Sequence, residues 1–524
     1  MKYPGNMTSV LQLVLLLLLF TSVTSEPGKL SFASYYGDHM VLQRAPQRAV
    51  VWGYAPGFFG SVTLTVTGPG TGGGTYTSRI TTHPDVGGVW SVTLRPVNDT
   101  KPYIIKVSDK ENTTSIEDVL FGDVWLCSGQ SNMQFTVNMS YNASVQLEDV
   151  ANYTEVRVFT AQEATSRVAL RDLKAVLEPW SLPSKASLDG KEFTYFSDLC
   201  WLYGRYLHDH LSYPIGLIDS TWGGTAIEQW TSSAVLKKCN VPPKPLHDSE
   251  LWNAMISPFA SMTLYGAIWY QGESNAAEPS TYNCTFPGMI QDWRMHFSAN
   301  SDTSPDFPFG FVQLGAFRND SSITTGFPDI RWHQTADVGY VPNNLMPNTF
   351  MAVAMDLPDF NSPWGSIHPR DKDTVARRLV MAAMSVAYNL TIGEIQGPFP
   401  QSFQVDSGYM TLYVRYTYRE LAPIRSNKGF EVICSPFEKK QESSDVSNNA
   451  VWSPVPIIQS DDTSLTLDLQ QACANQTVAG VRYAWRESPC DYKACAIYSL
   501  YSDLPAPPYL VVGDLPYGSL VKNP

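Results

Sequence analysis

Three textures of hydrophobic and polar positions follow one another along the 524 residues. Between residue 28 and about 115 the apolar runs are short: "MVLQR", "AVVWGYA", "SVTLTVTG", "GGVWSVTLRPV" and "YIIKVSD". They are rich in branched and aromatic residues, and Gly, Pro, Asn and Asp punctuate them, as expected of strands joined by turns. With no helix-length period between them, they predict a small antiparallel sandwich. The middle of the chain differs. "DVLFGDVWLC", "YPIGLIDSTWG", "LYGAIWYQG", "FPFGFVQLGAF" and "NTFMAVAMDLP" are nearly unbroken apolar runs, which suit strands buried on both faces of a parallel sheet. Helical periods lie between them, at Asp198 to Leu211 and at Asp371 to Leu390, where Val375, Leu379, Ala382, Ala383 and Val386 share one stripe. Strand alternating with helix predicts an open α/β sheet. From about 396 the short-strand texture returns in "MTLYVRYTY", "FEVIC", "SLTLDL" and "VRYAW". The organisation expected is therefore a β-rich unit over 26–115, an α/β unit over 116–395 and a second β-rich unit over 396–524. A Gly-rich loop at 68 to 77 is the only low-complexity stretch.

Composition changes this picture in two ways. A hydrophobic share of 44% supports a sizeable core, and a formal charge of −13 argues against a nucleic-acid partner. The N-terminus carries the compact apolar run Val10 to Phe20 behind Lys2, with small Val23 and Ser25 following. That run is short for a bilayer span, so residues 1–25 read as a cleaved secretory signal and no stable membrane anchor is expected. Beyond that segment, nine Asn-x-Ser/Thr acceptors agree with export: Asn98, Asn112, Asn138, Asn142, Asn152, Asn283, Asn319, Asn389 and Asn475. Eight scattered cysteines, none in a zinc-ligand spacing, predict disulfides together with one or two free buried thiols rather than a metal.

The chemistry gathers at four predicted strand ends, where an open α/β sheet binds its ligands. After "DVWLC" comes Ser-Gly-Gln-Ser, which puts Ser131 near the start of the next helix. There it is either a helix cap or a nucleophile whose neighbouring N–H groups can hold an oxyanion. After "PIGLID", the pair Gly223–Gly224 lets a main-chain N–H approach a ligand, and Gly224 is the expected oxyanion donor. After "IWY", Gln271 can supply a side-chain donor and Glu273 a carboxylate. After "NTFMAVAMDLP", His368 follows by a short loop, and a neutral imidazole is the usual base for a serine. His208 and His210, two apart on a helix, point away from each other and make no metal pair. Together the four loops compose acyl transfer.

The blocks "GQSNM", "GGTAIEQW", "QGESNA" and "IHPRDK", in that order, resemble the SGNH-type carbohydrate esterases over nearly the whole chain. The resemblance implies a three-layer α/β core flanked by β-rich domains, no cofactor and no metal. It implies Ser131 as nucleophile, His368 as base, and an oxyanion hole from the Ser131 N–H, the Gly224 N–H and Gln271. The implied substrate is a free or glycan-borne sialic acid acetylated at its 9 or 4 hydroxyl, and the implied compartment is the lysosome or the exterior. One departure stands out. Many relatives carry Asp two or three residues before the base, where this chain has Ser366 and Gly365. Glu273 is then the first candidate to orient His368, with Asp359 and Asp356 next, and a backbone carbonyl or Ser366 as the third possibility. Arg370 could bind the sugar carboxylate or pair with a local Asp. Competing functions are an acetylesterase for another carbohydrate, a glycosidase using Glu273, and an inactive secreted glycan-binding protein.

Overall fold

The computed structural model describes residues 29–515, apart from 57–59, 70–74, 391–392, 407, 409, 417–419, 436–450, 475 and 514. The expected signal segment, most of the Gly-rich loop and Asn475 lie outside the described residues. The central parallel strands run in the order Val156–Ala161, Ile215–Thr221, Thr113–Gly129, Gly266–Tyr270, Phe309–Gln313 and Thr349–Val353, with Val176–Ser181 antiparallel at one edge. From Thr113–Gly129 the chain first goes to one side, laying down 156–161 and the edge strand 176–181 before 215–221 fills the place beside Thr113–Gly129. It then crosses to the other side for 266–270, 309–313 and 349–353. The strand order therefore reverses beside Thr113–Gly129, and such a reversal opens a crevice at the carboxyl ends of the strands.

Thr113–Gly129 explains why the boundary at 115/116 is not a linker. Its first half is partly exposed and pairs antiparallel with Tyr103–Ser108 of the N-terminal β unit. Its second half, from Val119, is wholly buried and pairs in parallel with Ile215–Thr221 and Gly266–Tyr270. One continuous strand thus serves the N-terminal unit and the central sheet.

Helices cover both faces. Asp198–Leu211 and Lys372–Val386 pack on each other. The first lies so close to the sheet that a Cβ at Gly204 would meet Leu217 at 2.4 Å. On the opposite face, Trp293 and Phe286 of Tyr282–Asn300 set their rings edge-on against Trp269, Phe309 and Phe311, a packing that adds to plain area burial. After residue 396, two four-stranded antiparallel sheets complete the molecule.

The cysteines correct one expectation. All eight are paired, as Cys127–Cys200, Cys239–Cys284, Cys434–Cys473 and Cys490–Cys495, and no free thiol is left. Cys127–Cys200 ties the Thr113–Gly129 strand to the Asp198–Leu211 helix, four residues before Ser131.

Candidate active site

Gly129 ends its strand at φ +140°, and a Cβ there would lie 2.2 Å from the Tyr270 carbonyl. Only glycine lets the chain turn this sharply against the neighbouring strand. Gln130 occupies the cap position and makes no side-chain cap bond. Ser131 is the first residue of the short helix Ser131–Gln134, so the helix-cap reading of its hydroxyl does not apply.

The structure brings Ser131 and His368 together. His368 Nε2 lies 2.8 Å from Ser131 Oγ, and His368 Nδ1 lies 2.7 Å from the Trp364 carbonyl. A carbonyl can only accept, so Nδ1 carries the proton and Nε2 turns its lone pair toward the serine. The imidazole is half-buried, with the Phe193 ring centroid 5.1 Å away. Burial lowers its pKa, the bond to Trp364 opposes that shift, and the Lys372 charge adds to it.

A glycine turn stands beside the serine of this pair. Gly223 and Gly224 form the turn after Ile215–Thr221, and Gly223 donates its N–H to Gln134 Oε1 at 2.8 Å. A Cβ on Gly223 would lie 3.3 Å from Ser131 Cβ, so the turn packs directly on the serine. Gly224, at φ +72°, faces open space and its N–H has no partner among the described residues. The N–H of Ser131, in the first helical turn, has no intrahelical acceptor either.

Three expected residues are placed differently. Gln271 is fully buried, and its amide nitrogen already donates to the Thr225 carbonyl at 3.2 Å and to Asn275 Oδ1 at 2.7 Å. Both of its donors are spent on holding the glycine turn, which leaves none for an oxyanion. Glu273 does not reach His368; its Oε1 accepts from Asn132 Nδ2 at 2.6 Å, and burial raises its pKa. Asp359 and Asp356 are also committed elsewhere, to Arg370 and Arg378. The group orienting His368 is thus the backbone carbonyl, and Ser131–His368 is a dyad. Arg370 puts Nε and Nη2 on the Asp359 carboxylate at 2.6 and 2.9 Å, which occupies the fork that would grip a sugar carboxylate. Trp230 and Trp269 are core residues, whereas Trp222 and Trp364 stay partly exposed near the site.

Sequence reasoning missed two side chains. Asn132 donates to the Ile367 carbonyl at 2.8 Å as well as to Glu273, and Lys372 Nζ donates to Asn132 Oδ1 at 2.8 Å and to the Pro369 carbonyl at 2.7 Å. Both stand inside the blocks "GQSNM" and "IHPRDK". An ammonium one residue into a predicted helix reads as a solvated charge, and nothing local announces that it is buried. Among the described residues, no group of three or more His, Cys, Asp or Glu could hold a metal ion, and no helix is long and apolar enough to cross a membrane.

Comparison with known proteins supplies a family. Residues 121–362 match the family described as carbohydrate esterase, sialic acid-specific acetylesterase, and residues 401–513 match the sialate O-acetylesterase C-terminal domain. The chain is 43% identical to the sialate O-acetylesterase of Mus musculus over 97% of its own length and 98% of that protein's. It is 44% identical to the one from Homo sapiens, covering 96% of each. Among solved structures, a carbohydrate acetylesterase from Xanthomonas citri superposes with a TM-score of 0.75 at 25% identity, covering 92% of this chain and 99% of that one.

Proposed function

The chain belongs to the sialate O-acetylesterase family and is a carbohydrate esterase; from this premise we propose that it removes O-acetyl groups from sialic acids through a serine acyl-enzyme. The observation that carries the mechanism is the 2.8 Å contact between Ser131 Oγ and His368 Nε2, with the tautomer set by Trp364. Ser131 Oγ attacks the acetyl carbonyl as its proton passes to His368 Nε2. The N–H groups of Ser131 and Gly224 receive the oxyanion, in a site where oriented donors stabilise developing charge better than water does. The bond to the sugar oxygen breaks, and that oxygen takes the proton from His368. Water then gives a proton to His368 and attacks the acetyl-serine, which releases acetate and restores Ser131.

The ester is an O-acetyl group at the 9 or 4 hydroxyl of the sialic acid. Four disulfides suit an oxidising compartment. With the apolar N-terminus and the glycan acceptors, they support a secretory-pathway protein, lysosomal or secreted. The reading is tested by labelling with a serine-reactive phosphonate, mapping the modified peptide and measuring acetate release from 9-O-acetylated sialic acid. Label on Ser131 with parallel loss of acetate release is expected. Undiminished release after full labelling, or label elsewhere, contradicts it. Release of reducing sugar in place of acetate would favour the glycosidase, and binding without release the inactive glycan-binding protein.

A further inference from the structure

The dyad lacks a carboxylate on its imidazole, yet His368 is held from both chain directions. The carbonyl before it, Ile367 O, accepts from Asn132 Nδ2 at 2.8 Å, and the carbonyl after it, Pro369 O, accepts from Lys372 Nζ at 2.7 Å. The two donors are joined to each other, Nζ to Asn132 Oδ1 at 2.8 Å. Asn132 is anchored in turn on Glu273 Oε1 at 2.6 Å and is the chain neighbour of Ser131. All of this is out of solvent, with Asn132 and Lys372 each 1% exposed. The ammonium sits over the Phe135 and Tyr270 rings, 4.4 and 5.5 Å from their centroids.

We propose that Asn132 and Lys372 are positioning residues that clamp His368 through its main chain, with the Lys372 ammonium bonded to the carbonyl next to the imidazole. The proposal rests on the acyl-transfer reading of Ser131 and His368. A triad carboxylate fixes the ring and stabilises the imidazolium. The clamp fixes the same ring from behind while placing a positive charge near it, and a like charge disfavours protonation. The groups facing the ammonium are Glu273 from the strand-end loop, Asp198 from the neighbouring helix, Asp371 beside it and Asp359 in the histidine loop. None of these carboxylates is bonded to the imidazole, whose polar contacts are Ser131 and the Trp364 carbonyl. Burial pushes Lys372 down to about 7. It is therefore protonated below that pH, where His368 titrates.

The test compares wild type, Lys372→Met and Asn132→Ala on 4-nitrophenyl acetate across pH, with thermal unfolding to count folded protein and phosphonate labelling to count competent Ser131. Methionine keeps the unbranched apolar stem of the lysine, one atom shorter, and removes its charge and donors. The acid limb of kcat/KM for Lys372→Met should move up by roughly half to one pH unit. Asn132→Ala should leave that limb in place and lower kcat by about 10- to 100-fold, with KM changed less than about twofold. A purely structural role would lower the folded fraction and leave both the limb and the kcat per labelled serine alone, and that result overturns the proposal. An unmoved limb in folded Lys372→Met overturns it whatever happens to kcat. Should Lys372→Met not fold, Asn132→Ala decides, since kcat within about twofold of wild type removes the clamp. Failure of wild type to label at Ser131 would instead be the failure of the acyl-transfer reading.

Discussion

Arg331 and Ser131 are both held at the carboxyl ends of strands in one sheet, and the two places treat their polar groups in opposite ways. Arg331 is fully buried where the C-terminal unit meets the α/β unit. It donates to the carbonyls of Leu314, Gly315, Arg486 and Glu487 at 2.6 to 2.8 Å. Nearby, Arg378 grips Asp356 with two bonds and Tyr498 adds a third. The seam meets four buried carbonyls and a buried carboxylate with charged donors, as a static joint requires, because an orphaned buried group costs about 1–3 kcal/mol. Around Ser131 the main-chain N–H groups of Ser131 and Gly224 have no taker among the described residues, while the amides of Gln271 and Asn132 behind them have both donors bonded, Lys372 makes two bonds, and Glu273 Oε2 is left without a partner. Bonded side-chain amides behind unpaired main-chain donors are an arrangement that oriented electrostatic catalysis can use. The difference tells a reactive cluster from an anchoring one when both are buried and both are charged.

This contrast can be broken at either place. His368→Ala removes the base and should lower kcat by on the order of 10⁴-fold without lowering the unfolding temperature, measured as acetate release against thermal unfolding. Arg331→Met should do the reverse. Stripping four buried carbonyls of their donor should cost at least about 3 kcal/mol in denaturant unfolding, while the protein that remains folded keeps its turnover. Gly223→Ala puts a methyl 3.3 Å from Ser131 Cβ and 3.0 Å from Gln134 Oε1. Misplacing the donor turn in this way should reduce kcat by about 10²-fold, with KM little changed. The acid limb of wild-type kcat/KM should lie below the ordinary imidazole value of about 6.5, because burial and Lys372 both disfavour the imidazolium. The sign follows from the base having to be neutral: a lowered pKa carries activity further into acid. Arg370→Met should change KM for acetylated sialic acid less than about threefold, since its fork already holds Asp359 and a partly exposed pair is worth about 0–1 kcal/mol.

Much of this was legible in the sequence, and the illegible part has a common cause. The two strand textures reported burial directly, because a strand covered on both faces has no polar alternation. The helix read from Asp198 to Leu211 is the helix observed. That Ser131 and His368 would meet, with the glycine turn beside the serine, was also readable, since each follows a strand whose end opens on the same crevice. What sequence could not show was which polar side chains face the ligand and which face each other. Gln271 and Glu273 stand in the right loop, but Asn275 and Thr225 absorb the first and Asn132 the second. The missing acid before His368 left several orienters open, and the chosen one, the Trp364 carbonyl, has no side-chain signature at all. The disulfide partners, 73, 45, 39 and 5 residues apart, follow from tertiary proximity, which spacing does not encode.

The most direct measurement is acetate release from 9-O-acetylated sialic acid by purified wild type and by Ser131→Ala at equal folded concentration. Release by wild type and its loss by several orders of magnitude in the variant, with the unfolding temperature kept, is the expected result. Equal release by both proteins would show that the hydroxyl facing His368 does not carry the reaction.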